Sequence, residues 1–268
     1  GWGRRTKLTD PSAGTYTYAY NDFGELTRQT TPKGFSTYTY DGAGKLTNEK
    51  IQGDHTDMHL QYGYDAASKL LTGITLTDAG GNNSSYTYSY DVYKRLDAMV
   101  ENNGQARFAR TWTYDGFGRV FTQGLEAKNH ATGKTAVKKV RNIYQNGELK
   151  SMVDDGSTEV IWALNAVNAR GQETSTGWGS AVKQTNTYDS YGLIAERKTE
   201  KTAGTTVSTL MKLNYSFNAQ RGLLNSRSGS VFGWNETFGY DHLDRLTSFK
   251  DNSGQKSQTY DNRGRITS

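Results

Sequence analysis

The residues most able to do chemistry lie in Asp54-His55-Thr56-Asp57-Met58-His59. If that run is extended, His55, Asp57 and His59 share a face, and three such N/O donors suit zinc or nickel. A polar turn leading into the strand that reaches Tyr64 accounts for the same residues and is the preferred reading. Gly42-Ala43-Gly44-Lys45-Leu46-Thr47 has the residue types of a phosphate loop, but the spacing to the lysine is wrong and a hairpin tip explains it. His130 and His242 stand in turn-like contexts with no nucleophile nearby, and no Gly-x-Ser-x-Gly elbow occurs. The Asp-Gly and Asn-Gly clusters lack the spaced acidic ladder of a calcium loop. The sequence therefore assigns no catalytic, metal-ligating or cofactor-binding residue, and no cofactor.

Two further groups could meet a partner. Lys128, His130, Lys134, Lys138, Lys139 and Arg141 form a basic stretch, read as the solvated face of an elongated hairpin rather than an anion site. Glu196, Arg197, Lys198, Glu200 and Lys201 carry mixed signs and read as a solvated extension. Trp2, Trp112, Trp162, Trp178 and Trp234 could stack on sugars. Trp112 occupies an alternating strand position and reads as packing, whereas Trp178, flanked by glycines, is expected to be the most exposed.

All these candidates sit on one recurring element. Tyr40-Asp41-Gly42-Ala43-Gly44-Lys45-Leu46-Thr47 returns with small changes at Tyr64, Tyr90, Tyr114, Tyr188, Tyr240 and Tyr260, and in weaker form at Tyr20, Tyr144, Val167 and Phe217. A repeat of this kind fixes the architecture before any other feature. Strict alternation precedes each phrase, as in Tyr86-Thr87-Tyr88-Ser89-Tyr90, so the rings share one face of a strand and Thr or Ser the other. Asp-x-x-Gly then supplies a turn: Asp accepts amide bonds and Gly tolerates positive φ. Arg or Lys, an aliphatic residue and Thr restart a strand. Turn chemistry such as Pro32-Lys33-Gly34, Asp78-Ala79-Gly80-Gly81-Asn82 and Asp154-Asp155-Gly156 falls between successive tips. Eleven tips and ten intervening turns predict about 22 strands in one meander, which must wind because open sheets rarely pass about ten strands without curling.

Composition fits. Two prolines in 268 residues spare the ladder amides. The dispersed charges, 32 basic against 27 acidic, imply solubility rather than a nucleic-acid partner. With no cysteine, disulfides and thiolate metal sites are excluded, and no long apolar run suggests a membrane span. Aliphatics are sparse, and 18 Tyr and 5 Trp take their place, as expected of a thin wall with little interior.

The phrase Tyr-Asp-x-x-Gly-Arg/Lys-Leu-Thr resembles the YD repeat, also called the RHS repeat. It occurs in bacterial polymorphic toxins, in shells of insecticidal toxin complexes and in animal teneurins. The resemblance implies an all-β fold, a long antiparallel meander of hairpins wound into a spiral, hollow, cocoon-like shell. Residues 1–268 would form one segment of about eleven repeats without an internal domain boundary, cut from something longer. It implies a structural role, not an enzyme: the shell encloses a C-terminal toxin or effector polypeptide and contacts neighbouring shell repeats of the same larger protein. Secretion machinery or a cell-surface glycan are further candidate partners, the latter if the shell serves adhesion, and the implied location is secreted or bacterial cell surface. Family shells often end in an Asp-Pro-rich core whose aspartates cleave the chain. Here the one Asp-Pro is Asp10-Pro11, with no Gly-Leu after it, so no protease residue carries over. A β-propeller and a membrane barrel are the nearest rival folds.

The tips carry sharper expectations. Gly44, Gly118, Gly192 and Gly264 should have positive φ, and Asp41, Asp115, Asp189 and Asp261 should bond turn amides. Leu46, Val120, Leu246 and Ile266 should each be more buried than the basic residue before it.

Overall fold

A computed structural model describes residues 3–267 and contains 22 strands and no helix among them. More than half of the described chain is strand, as the alternation requires. Contacts group residues up to Val140 and from Arg141 into two units. In the first unit lie β1 (Lys7–Asp10), β2 (Gly14–Tyr20), β3 (Leu26–Thr31), β4 (Gly34–Tyr40), β5 (Leu46–Gly53) and β6 (Thr56–Tyr64). They are followed by β7 (Leu71–Asp78), β8 (Asn83–Tyr90), β9 (Leu96–Asn102), β10 (Ala106–Tyr114) and β11 (Val120–Asn129). Each pairs antiparallel with the next, from β1–β2 to β10–β11.

β12 (Thr135–Gln145) spans the division. The second unit continues with β13 (Glu148–Asp154), β14 (Val160–Val167), β15 (Glu173–Trp178), β16 (Val182–Tyr188) and β17 (Ile194–Ala203). It ends with β18 (Thr206–Phe217), β19 (Leu224–Gly229), β20 (Trp234–Tyr240), β21 (Leu246–Asp251) and β22 (Gly254–Ser257). From β13 to β22 the neighbours again pair antiparallel in sequence order. The strand number matches the sequence reading, with an offset. β1 precedes the strands counted from the repeat, and the last of those survives only as the isolated bridge Tyr260–Ile266.

Register sorts the side chains onto two faces. One row in the first unit runs Tyr88, Met99, Arg110, Leu125, and the adjacent row on the opposite face runs Thr87, Val100, Ala109, Glu126. Among hydrophobic residues only Ala109 and Val153, at 8% and 4% exposure, are buried among those described. The accessible area of 17498 Å² exceeds the about 11,600 Å² expected for a compact monomer of this mass. Stability must therefore come from ladder bonds and local contacts between neighbouring strands.

Most tip hairpins carry a register shift at the tyrosine position. Thr39 faces Asn48 but Tyr40 faces Leu46, so one residue bulges out. The same shift recurs at Tyr20, Tyr64, Tyr90, Tyr114, Tyr188 and Tyr240, and at Phe217. A bulge locally increases right-handed twist, so the repeat inserts one increment of twist per hairpin.

The weak copy at Tyr144 departs from the others. Asn146 and Gly147, at φ 53 and 87, make a two-residue turn there, the turn type that Asn-Gly favours. The tip geometry appears instead at Asp154: its Oδ1 accepts the Gly156 and Ser157 amides, and Met152/Val153 carries the register shift. A motif keyed to tyrosine makes Asp154-Asp155-Gly156 intervening punctuation, whereas its bonds make it a tip.

The expected glycine conformations hold, with φ of 78, 80, 88 and 81 at Gly44, Gly118, Gly192 and Gly264. Where a copy lacks glycine, Lys69, Lys94 and Asp244 adopt the same region at φ 63 to 65. Gly118→Val should cost about 2 kcal/mol, since a β-branched residue strongly resists that conformation. Gly116→Val, at a neighbouring position with open space and no positive φ, should be near neutral. Denaturant midpoints compare the pair, and equal losses would show that the conformation at Gly118 is not what the turn requires.

Candidate functional site: the Tyr-Asp tips

At the Tyr-Asp tips the aspartate organises the turn, and Asn21, Asn168 and Asn218 accept turn amides in the same way where they replace it. Asp115 Oδ1 accepts the Phe117 and Arg119 amides at 2.9 and 3.0 Å, while Gly118 N donates to Asp115 O at 3.0 Å. Asp41, Asp189 and Asp261 bond the corresponding amides at 2.8 to 2.9 Å. The second carboxylate oxygen takes the basic residue four positions on. Asp115 Oδ2 accepts Arg119 Nε at 2.8 Å and a terminal guanidinium nitrogen at 2.7 Å. The same fork recurs in Asp91–Arg95, Asp241–Arg245 and Asp261–Arg265.

The fork draws the basic residue inward: Lys45, Arg119 and Arg245 are half-buried, as are Leu46, Val120 and Leu246. Ile266, in the terminal copy, is 62% exposed. The cation lies over the ring of the next repeat. Arg95 sits 4.1 Å from the Tyr114 ring centre, Arg245 4.4 Å from Tyr260, and Lys45 Nζ 4.7 Å from Tyr64. Cation–π attraction and cover of the alkyl stem then outweigh full hydration of the charge.

The tyrosine completes the contact. Between neighbouring hairpins the paired register stops two residues short of the tip: in β9–β10 it ends at Ala98–Thr111. The Leu96 carbonyl beyond it is capped by the Tyr114 hydroxyl, which donates at 2.6 Å. Tyr40 caps Leu26, Tyr64 Leu46, Tyr90 Leu71, Tyr240 Leu224 and Tyr260 Leu246, at 2.7 to 3.0 Å. Tyr20 and Tyr188 do the same to Arg5 and Glu173 at 2.9 Å. A carbonyl that has lost its ladder partner needs another donor, and the phenol supplies it.

The sequence-nominated ligands are not brought together. His55 lies in the β5–β6 turn, and His59 Nε2 is 3.2 Å from Asn48 Oδ1. Among the described residues no three His, Cys, Asp or Glu side chains cluster as a metal would need. The lysine of the loop-like run, Lys45, donates to the Lys69 carbonyl in the next tip. His130 Nε2 lies 3.0 Å from Asn102 Oδ1, and His242 is exposed in its tip. Lys128, Lys134, Lys138 and Lys139 are exposed along the β11–β12 hairpin, and Arg141 lies 3.8 Å from Asp155. The mixed stretch is less solvated than expected. Glu196 to Glu200 are half-buried, with Lys212 3.0 Å from Glu196 and Arg197 3.2 Å from Asn186. Trp178 is 49% exposed, Trp112, Trp162 and Trp234 are half-buried, and Trp2 lies outside the described residues.

Sequence reading missed a different feature: the third tip position projects large apolar side chains. Phe23 and Phe117 are each 87% exposed, and Tyr93, Tyr191 and Leu243 are also exposed. Their alignment at one motif position was a legible signal.

Protonation follows the bonds. At Asp41 and Asp261 the amide four residues on holds the carboxyl below the usual range. At Asp91, Asp115 and Asp241 desolvation pushes upward, but bonds from the paired arginine outweigh it. Burial and the charge of Glu49 push the Tyr62 phenol up to about 12, away from a proton donor useful near neutrality.

The chain belongs to the teneurin YD-shell family, whose model matches residues 3–268. Among solved structures it is similar to TcdB2–TccC3, with 12% identity over 94% of this chain and 18% of that one and a TM-score of 0.34. The Photorhabdus luminescens Tc holotoxin pore gives 13% identity over the same shares, at a TM-score of 0.28. A porin-like protein from Bacteroides uniformis gives 15% identity over 74% of this chain and 86% of that one, at 0.31. No curated protein sequence matches. The chain thus spans 18% of the toxin chains it resembles.

Two expected outcomes test the tips. Tyr114→Phe removes only the hydroxyl and should cost about 1 kcal/mol, the net value of one such bond. Tyr64→Phe should add independently, because the two tips share no partner. A Tyr114→Phe protein as stable as the parent would show the capped carbonyl to be satisfied otherwise. For pH, each carboxyl held below its unfolded value of about 3.9 contributes fully above about pH 4. That contribution is lost as pH falls through the folded value. Melting temperature should therefore drop below about pH 4, and Asp115→Asn should lower it at pH 7 while making the acid fall shallower. A parallel fall in both proteins would assign the acid sensitivity elsewhere.

Proposed function

We propose that the chain is a wall segment of a YD shell that encloses a C-terminal toxin or effector polypeptide of the same larger protein. The observation that carries this reading is a repeat-built sheet with almost no buried hydrophobic residue among those described. Such a sheet is suited to separating two spaces and offers no enclosed reaction centre. Membership of a shell family supports the structural role. On this reading the protein acts by containment: it turns over no substrate, and its conspicuous Tyr, Asp and Gly residues are architectural. Its partners are the enclosed polypeptide and neighbouring shell repeats, and its place is outside the cell or at the cell surface.

A second reading, surface adhesion, draws on the exposed tip side chains Phe23, Tyr93, Phe117 and Tyr191, which could stack on a glycan. Limited proteolysis of the full-length protein separates the two. Containment expects the C-terminal domain to resist added protease in the intact shell and to be cleaved once Tyr→Phe and Gly→Val substitutions at several tips open the wall. If the intact protein gives no protection, and glycan binding is lost on Phe117→Ser and Tyr93→Ser, adhesion takes its place.

A further inference from the structure

The edge of the sheet in the second unit has a step. β17 and β18 run to a tight turn at Gly204, where Ala203 faces Thr206. On the next side, β19 ends at Gly229 opposite Leu213, and Ser230 N donates to Lys212 O at 3.1 Å. The chain then turns back at Val231 and Phe232 into β20. Residues Thr206–Met211 of β18 therefore run past the end of β19 and, among the described residues, have a ladder partner only on the β17 side.

Native edges are blunted by lysine, proline, shortness or a bulge. This free edge has a one-residue register shift at Leu210 and none of the other protections. Thr206-Val207-Ser208-Thr209-Leu210-Met211 has no charge and no proline, and its β-branched residues favour extension. Val207 is 59% exposed and Leu210 43%. The equally exposed start of β12, by contrast, carries Lys138 and Lys139. The two-residue turn makes Ala203–Thr206 the closing hydrogen-bonded pair, so Thr206 and Ser208 bond inward to β17. Val207 and Thr209 then direct their N–H and C=O groups to the open side.

We infer that this edge pairs with a second copy of the chain, β18 against β18 in antiparallel register about a two-fold axis. An alternating row of free amides and carbonyls is matched only by another strand. In this chain the step is self-complementary: the arm projecting past β19 is as long as the notch beside it. A partner arm entering tip-first would meet the Ser230–Phe232 turn with its end, while the first arm fills the partner's notch in the same way. Such an interface is isologous and closes at two copies. The absence of charge from Thr206 to Met211 removes like-charge repulsion across the axis.

Analytical ultracentrifugation of the chain over a concentration series, with hydrogen exchange on the same samples, tests the pairing. The expected result is a reversible monomer–dimer equilibrium in which exchange at Val207 and Thr209 slows as concentration rises. Thr209→Pro removes an outward donor and leaves the inward ladder intact. Leu210→Lys adds the missing edge charge at an exposed position. Each should weaken association at least tenfold with thermal stability of the monomer little changed. A chain that remains monomeric throughout, or a dimer that both variants form as tightly as the parent, overturns the inference. So does association without concentration-dependent protection at Val207 and Thr209, which would place the contact elsewhere, with the exposed tip rings as the next candidate.

Discussion

Backbone pairing between neighbouring hairpins stops two residues short of the tip, and at eight tips a tyrosine hydroxyl repairs it. This substitution of a phenol for a ladder amide is the contact on which the remaining repeat geometry depends. It holds two tips at a fixed separation while freeing the last residues of each strand to turn. The aspartate can then spend one oxygen on the turn amides and the other on arginine. The guanidinium, immobilised by that fork, becomes a flat surface for the next tyrosine ring. Carboxylate, cation, ring and carbonyl thus form a relay from one tip to the next.

The relay explains how a sheet with so little interior can be ordered. A compact domain of this size would draw its stability from a core of fully buried aliphatics. Here only Ala109 and Val153 qualify among the hydrophobic residues described. Each hairpin instead stabilises its immediate neighbours, as in other repeat proteins, where stability is close to a sum of nearest-neighbour terms. The bulge at most tips adds twist at the same point of the repeat, the local ingredient a curved wall needs. A uniform sheet would have to acquire that curvature by strain.

Much of this was legible in the residues. Alternation in Tyr86-Thr87-Tyr88-Ser89-Tyr90 set the two faces, and Asp-x-x-Gly set the turns, including the glycine conformations. The reading failed where a motif was keyed to its most visible residue. At Tyr144 the ring is present without the turn, and at Asp154 the turn is present without the ring, because the side-chain oxygen of Asp or Asn and not the ring makes the turn bonds. It also failed for charge. Half-burial of Arg119 and Arg245 follows from a carboxylate and a neighbouring ring that together replace water, and side-chain type alone does not reveal such partners.

The sequence by itself determined strand, turn and facing, because these follow from contacts within a few residues: a period of two, a carboxylate near its own amides, a glycine at positive φ. The tertiary structure alone decided which carbonyl each tyrosine caps, 14 to 19 residues back along the chain. It alone decided that Lys45, Arg95 and Arg245 lie on the next repeat's ring, and that β18 outruns β19 to leave an open edge. These depend on register and relative length between strands separated by turns of variable size. A change of one or two residues in a turn moves every such partner, while the local pattern stays the same.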